Sequence, residues 1–494
     1  MMHVDPFGEA VAAKTRPEGY QWKPEAALRR INGKSSLLAN SNIAPRNILT
    51  MKPASDLLVS MTDPSVFEVD PVMGFMAPRP PPARLPPEFQ LWETALDDAV
   101  GQKIQLGDSL GLSEDDKTTS KLWRAGVKMI PVLSIDSLKH SKPLLRRAHL
   151  VLTYIQHFYF QSLPPDQDTI LPRSISLPLL RVSAALGIPP LLTYSDTVLY
   201  NWRIEPSTSL PSFSQPDLSH LRSQTTFTNT VDEEEFYLCS ARIELRGVEA
   251  LKVMRVIRDE MFVDDVAAVR RVTGYLAKLA NVIDELKGLL EDVKKKCDPD
   301  RYYNDVRPWF RGQDSDGASV GYFSHTQARK WVFEGIDEDP ELEHPTELSG
   351  PSAGQSSIIH VLDLFLGVDH NDSSSSLSSP SFMTRMKTYM PYHHRLFIDH
   401  LASHPPTLRS FVLVHDRNDE LKNAYNHAVR ALKGFRDVHM IIAALYILGP
   451  ARRTREKNEA LIKEKEMPLK GTGGTDLVHF LKDTRTRTVN TLIP

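Results

Sequence analysis

Between Asp419 and Leu448 the apolar residues Leu421, Ala424, Tyr425, Ala428, Leu432, Phe435, Val438, Ile442 and Leu445 recur at a helical period. The pattern holds for about eight turns, where the usual globular helix has three to four. The rest of the chain is organised around this stretch. His439 lies on its buried face, with Phe435 one turn before and Ala443 one turn after, and Arg436 stands beside the same stripe. A histidine walled by apolar side chains can hold iron through a ring nitrogen, and an arginine one turn away can meet an anionic cofactor edge. On this stretch alone the simpler reading is a core histidine with one satisfied ring nitrogen.

The 494 residues suffice for two or three domains with sizeable cores. A hydrophobic share of 41% and a charged share of 24% are ordinary for a soluble globular chain. The formal charge of -3 and the scattering of Lys and Arg argue against nucleic acid or an anionic membrane as partner. Two cysteines, Cys239 and Cys297, exclude a disulfide framework and fit a reducing compartment. The N-terminus has no apolar secretory core, and the longest apolar run, from Val438 to Gly449, is too short to cross a bilayer. A soluble, cytoplasmic protein is expected.

Residues 1–85 are rich in Pro, Ser, Asn and Lys and end in a polyproline-type spacer from Ala77 to Pro87. They read as a largely disordered extension. Helical patterns follow at 88–101, 116–127, 134–162 and 174–187, the last ending at Gly187 before Pro189 and Pro190, with a new helix near Ser195 or Asp196. Residues 205–222 lose the apolar rhythm, which places a junction between a small helical domain (86–222) and a large one (223–494). The large domain reads as one helix at 233–245, one or two over 249–296, and another capped by Asp298 and Pro299 that runs through Tyr302, Tyr303 and Arg307 to Pro308. Helices at 358–366, 381–400 and 419–448 follow, then a last one from Asp476. Ser373–Ser379 reads as a surface insertion. No strand-like alternation persists, so the chain is expected to be all-α.

Few motifs carry chemistry. Lys470-Gly-Thr-Gly-Gly-Thr-Asp476 lacks the GxxxxGK[ST] spacing of a phosphate loop, but its glycines and threonines can close over a small polar ligand. Thr475 or Asp476 serves equally as an N-cap. Pro351-Ser-Ala-Gly-Gln-Ser-Ser357 is a run of small residues that either admits a flat ligand or simply starts a helix. His393 and His394 read better as a helix-surface pair than as metal ligands.

Several pieces coincide in order with one family. They are Leu186–Tyr194 with Asn201 and Trp202, Ser352-Ala-Gly-Gln-Ser-Ser357, and Tyr389-Met-Pro391 with His394, Arg395 and Phe397. Arg436 with His439, and Lys470–Leu477, complete the set. Together they make the sequence resemble indoleamine 2,3-dioxygenase from about residue 75 onward. The resemblance implies haem b held between a small and a large helical domain, with His439 as proximal iron ligand. It further implies Arg436 at a haem propionate, Asp363 near that arginine, and Ser352 and Ala353 at the haem edge. For the substrate it implies a pocket of Tyr194, Val198, Phe236, Tyr237, Tyr302 and Tyr303, with Arg307 on the amino acid carboxylate and Thr472 in a closing loop. Ser240 faces the bound oxygen as a hydrogen-bonding group rather than an acid or base. The chain departs from the family at Tyr302 and Tyr303, which stand where phenylalanines are common, at Tyr237, which adds a hydroxyl beside the oxygen face, and at Pro351, where glycine is common.

The expected activity is insertion of O2 into the indole C2–C3 bond of L-tryptophan or a related indoleamine. The product is N-formylkynurenine, on the kynurenine route to NAD. The enzyme would be a monomer served by an electron donor that keeps the iron ferrous. One alternative is a haem sensor of the same fold with weak or no tryptophan activity, or acting on another indole; retention of Arg307 and Thr472 argues against the sensor. A cofactor-free helical scaffold is the other, and it has no use for Arg436 and His439 together.

Overall fold

The computed structural model describes residues 64–494 except 110, 206–214, 315–328, 371–380 and 460–476. The extension up to residue 63, the insertion Ser373–Ser379 and the loop carrying Thr472 therefore lie outside the described residues. The described part is helical, as expected, and no helix in it is long and apolar enough to cross a membrane.

The first long elements are α1 (Gln90–Gly101), α2 (Glu114–Met129), α3 (Lys142–Gln161) and α4 (Arg173–Leu186). Helix α2 starts in a reciprocal capping box between Ser113 and Asp116. Helix α3 is buried on every side from Leu145 to Gln161, so its polar residues must find partners inside the protein. His157 Nδ1 lies 2.7 Å from the Trp309 carbonyl, and the Gln161 amide donates to the Arg311 carbonyl at 2.9 Å. These bonds tie the early helices to the chain that follows. The stretch 66–85, expected as extension, is instead packed. Phe67, Phe75, Met76 and Leu85 are buried, and Phe75 rests against Phe397, because its apolar side chains outweigh the prolines around them.

Helix α5 (Val231–Val263) and helix α6 (Val266–Glu291) fold back on each other, and the long helix, α9, packs along α6. Between them in sequence come α7 (Ser357–Leu366) and α8 (Tyr392–Ser403), and α9 itself spans Asp419–Ala443. Helix α5 is continuous where the sequence reading broke it between 245 and 249. Gly247 does not end the helix. It lets Ile358 of α7 approach so closely that a Cβ at 247 would lie 2.8 Å from Ile358 Cγ1. Helix α5 opens with Asp232, Glu233 and Glu234 in its first turn, which suits the helix dipole, and Thr230 caps it. The final helix, α10 (Leu477–Asn490), lies against α9.

Two further departures from the sequence reading are local. Ile170–Leu171 (β1) pairs in parallel with Val332–Phe333 (β4), and Trp202–Ile204 (β2) pairs antiparallel with Leu221–Ser223 (β3). Segments of two or three residues are too short for alternation to register. His394, expected at a helix surface, is fully buried between Phe75, at a ring separation of 4.9 Å, and the Ser357 hydroxyl at 3.2 Å.

Candidate active site

The described residues contain three π turns: Ser195–Leu199, Tyr302–Val306 and Ala444–Leu448. In each, a backbone N–H reaches five residues back, from Tyr200 to Ser195, Arg307 to Tyr302 and Gly449 to Ala444. Such turns widen a helix and often occur at functional sites. All three deliver side chains to one cavity: Thr197 and Val198, then Tyr302, then Tyr446 and Ile447. The cavity has two adjoining lobes of about 1060 and 1080 Å³, open mouth included, with walls shared between them. Its lining is mostly apolar, the usual character of a small-molecule site.

His439 lies on the wall common to both lobes. Burial first, and the charge of Arg436 second, push its pKa down to about 4, so the imidazole is neutral near pH 7. Neither ring nitrogen is hydrogen-bonded among the described residues, which leaves a lone pair for a ligand. No cluster of three His, Cys, Asp or Glu that could hold a metal ion occurs among the described residues.

One turn earlier, Arg436 lines the second lobe and is held by two buried partners, the Asp363 carboxylate of α7 and the Thr488 hydroxyl of α10. Burial works to raise the Asp363 pKa, but the Arg436 charge and the hydrogen bond from His370, at 2.7 Å, hold it below the usual carboxylate range. Arg436 thus stands at the cavity wall with one carboxylate behind it.

In the other lobe Tyr194, Val198, Phe236, Tyr237, Ser240 and Tyr302 surround the approach to His439, with Ser352 and Ala353 at the edge. Ser352 caps the short turn Ala353–Gln355, accepting from the Gly354 N–H at 3.2 Å. The Tyr302 ring packs on Phe236 with centroids 4.4 Å apart, and Tyr446 meets it edge-on at 5.8 Å. Tyr237 turns its hydroxyl away from the cavity and donates to Glu233 at 2.8 Å. Three expected residues do not line the cavity walls. Tyr303 and Arg307 lie together just beyond, the guanidinium 5.5 Å from the ring centre, and Asp363 sits behind Arg436.

Two residues that the sequence reading passed over organise this wall. Glu244, one turn beyond Ser240 on α5, accepts from the Tyr194 hydroxyl at 3.0 Å and from the Ser356 hydroxyl at 2.6 Å. Burial raises its pKa to about 7 against the opposing effect of those two hydrogen bonds. Gln355 accepts from the Tyr194 backbone N–H at 2.8 Å and donates to the Gly350 carbonyl at 2.9 Å. The spacing Phe236, Ser240, Glu244 at i, i+4 and i+8 was the available signal for the glutamate.

A family model described as indoleamine 2,3-dioxygenase matches residues 63–491. The chain belongs to the indoleamine 2,3-dioxygenase family. It is 32% identical over 450 residues to the indoleamine 2,3-dioxygenase of Saccharomyces cerevisiae, covering 86% of this chain and 92% of that one. An Aspergillus candidus indoleamine 2,3-dioxygenase is 30% identical over 450 residues, 90% of this chain and all (100%) of its own. A 6-hydroxytryptophan 2,3-dioxygenase from Fusarium equiseti is 29% identical over 444 residues, 87% of this chain and 98% of that relative. As an indoleamine 2,3-dioxygenase family member the protein is an oxidoreductase of the dioxygenase class. The family match starts next to the first described residue, so the packed stretch 66–85 belongs to the shared fold.

Proposed function

We propose that this dioxygenase is haem-dependent and adds O2 across the indole C2–C3 bond of L-tryptophan, giving N-formylkynurenine. The observation that carries the reading is the neutral, unengaged imidazole of His439 on the wall between two apolar lobes, with Arg436 one turn away. His439 would hold the iron through its imidazole, Arg436 backed by Asp363 would pair with a propionate, and Ser352 and Ala353 would border the cofactor. The chemistry such a haem b, kept ferrous, would supply is the binding and activation of O2.

The chain's own residues do the rest. Tyr194, Val198, Phe236 and Tyr302 exclude water and hold a flat indole by its faces. Arg307 offers two parallel donors to the substrate carboxylate, a role that requires it to turn from the Tyr303 ring toward the lobe. Thr472 would close over the substrate. Both atoms of O2 end in the product, one on C2 and one on C3, as the bond between them breaks. No net electrons come from the protein, so Ser240 needs only to donate a hydrogen bond.

Within the compact unit, residues 86–222 would form the small domain and 223–494 the large one. We place the enzyme in the cytoplasm as a monomer feeding the kynurenine route to NAD, with a separate donor keeping the iron ferrous. The second reading, a different indole as substrate, is favoured by Tyr302 and by the Fusarium relative, a 6-hydroxytryptophan 2,3-dioxygenase. The test is the absorption spectrum of reduced, aerated protein with and without L-tryptophan, followed for N-formylkynurenine. A haem spectrum with product is expected; a haem spectrum without product moves the assignment to another indole, and a colourless protein overturns it.

A further inference from the structure

Four tyrosines line the lobe in front of His439. Tyr194 donates to Glu244 at 3.0 Å, Tyr237 to Glu233 at 2.8 Å and Tyr446 to the Cys297 carbonyl at 2.6 Å. Tyr302 is the fourth. Its side chain is only 5% exposed, yet its hydroxyl has no hydrogen-bond partner among the described residues. A phenol lining a cavity loses the cavity water when a ligand enters and regains nothing unless that ligand completes its hydrogen bond. The ring is held between Phe236, tilted against it, and Tyr446, which meets it edge-on, so its hydroxyl stays at the wall.

We propose that Tyr302 is a specificity-determining residue that favours indole substrates bearing a hydroxyl or similar hydrogen-bonding group on the ring over the unsubstituted indole. This rests on the reading of the lobe as an indole site. A hydroxylated indole would give the Tyr302 hydroxyl a partner inside the wall, and the unsubstituted ring would bury it unanswered. Sites built to bond a substrate hydroxyl discriminate strongly against the analogue that lacks it. Because one neutral hydrogen bond is involved, the preference should be about tenfold.

The test uses full-length holoenzyme and its Tyr302→Phe variant, with L-tryptophan and its 4-, 5-, 6- and 7-hydroxy derivatives. Both kcat/KM and the dissociation constant from calorimetry are measured for each compound. The parent should favour at least one hydroxy derivative over L-tryptophan by about tenfold, and Tyr302→Phe should remove most of that preference in both quantities. Equal preferences in parent and variant at every ring position overturn the proposal. Preferential binding without turnover of any indole leaves the proposal standing and overturns the dioxygenase reading instead. If no hydroxy derivative is preferred in either binding or turnover, Tyr302 does not set specificity.

Discussion

The Tyr194 hydroxyl donates across 3.0 Å to Glu244, joining the loop that follows Pro190 to the middle of helix α5. The same carboxylate oxygen accepts from Ser356, so one buried acid fastens two of the segments that wall the cavity. Its other oxygen, Oε2, has no partner. This arrangement explains why burial outweighs the two hydrogen bonds and lifts the pKa to about 7.

A stability prediction with a definite sign follows. The folded pKa of Glu244 is raised, so its contribution is fully present below the unfolded value and is lost as pH rises through about 7. The parent should therefore lose stability between pH 5 and 8 relative to Glu244→Gln, by up to about 3 kcal/mol. Urea unfolding of both proteins across that range measures the difference. Parallel stability curves would mean that Glu244 titrates normally in the folded state.

The ion pair of Arg436 and Asp363 is buried on both sides, with side-chain exposures of 8% and 2%. Removing one partner leaves the other charge uncompensated, so Arg436→Ala should cost about 3–5 kcal/mol. Asp363→Asn should cost less, since the amide oxygen still accepts from the guanidinium. Denaturant titration of the two variants checks the order, and a larger loss for the asparagine would refute it.

How far such features could be read in advance differs residue by residue. The period of α9 and the small residues from Ser352 to Ser357 were visible because helical spacing and loop composition are local properties. The π turns at 195, 302 and 444 were not, since an i to i+5 bond is chosen by what packs around the turn. The hydroxyl of Tyr237, which looked like a polar addition to the pocket, is absorbed by Glu233 exactly one turn back, a partner that spacing alone could have named. Helix α5 looked broken near Gly247 because glycine is a poor helix former, whereas its lack of a side chain serves the contact with Ile358. Burial of His394 depended on Phe75, more than three hundred residues away in sequence (394 against 75).

That close contact can be probed directly. In an exposed helix Gly→Ala gains roughly 1 kcal/mol from propensity. At Gly247 the new methyl would press on the Ile358 side chain, and overpacking of this kind typically costs about 1–3 kcal/mol. Gly247→Ala should thus be neutral or destabilising, and Gly247→Ala with Ile358→Val should recover stability. Thermal unfolding of the single and double variants decides; a stabilised single variant would show that the two helices are not in contact there.

On the proposed haem reading, His439→Ala should abolish haem retention while leaving the helical fold, because the imidazole is the one side-chain nitrogen on the wall shared by both lobes and makes no hydrogen bond among the described residues. Far-ultraviolet circular dichroism close to the parent's, with loss of the Soret band, is the expected pair of results. A full Soret band in the variant would remove His439 as the axial ligand.

Arg307 offers the sharpest separation of substrate from cofactor. It sits beyond the cavity wall against Tyr303, and burial lowers its pKa from the ordinary guanidinium value; its planar fork of donors matches a carboxylate. A charge-assisted bidentate contact is worth roughly 1.5–3 kcal/mol, so Arg307→Ala should lower kcat/KM for the amino acid about ten- to hundredfold. The haem spectrum should be unchanged, because Arg307 does not line the cavity wall while Arg436 and His439 do. Substrates lacking the carboxylate should be indifferent to the substitution: tryptamine should react equally poorly with parent and variant. If Arg307→Ala instead loses haem in proportion to activity, the arginine supports the fold of the Tyr302–Val306 turn, and the carboxylate is held elsewhere.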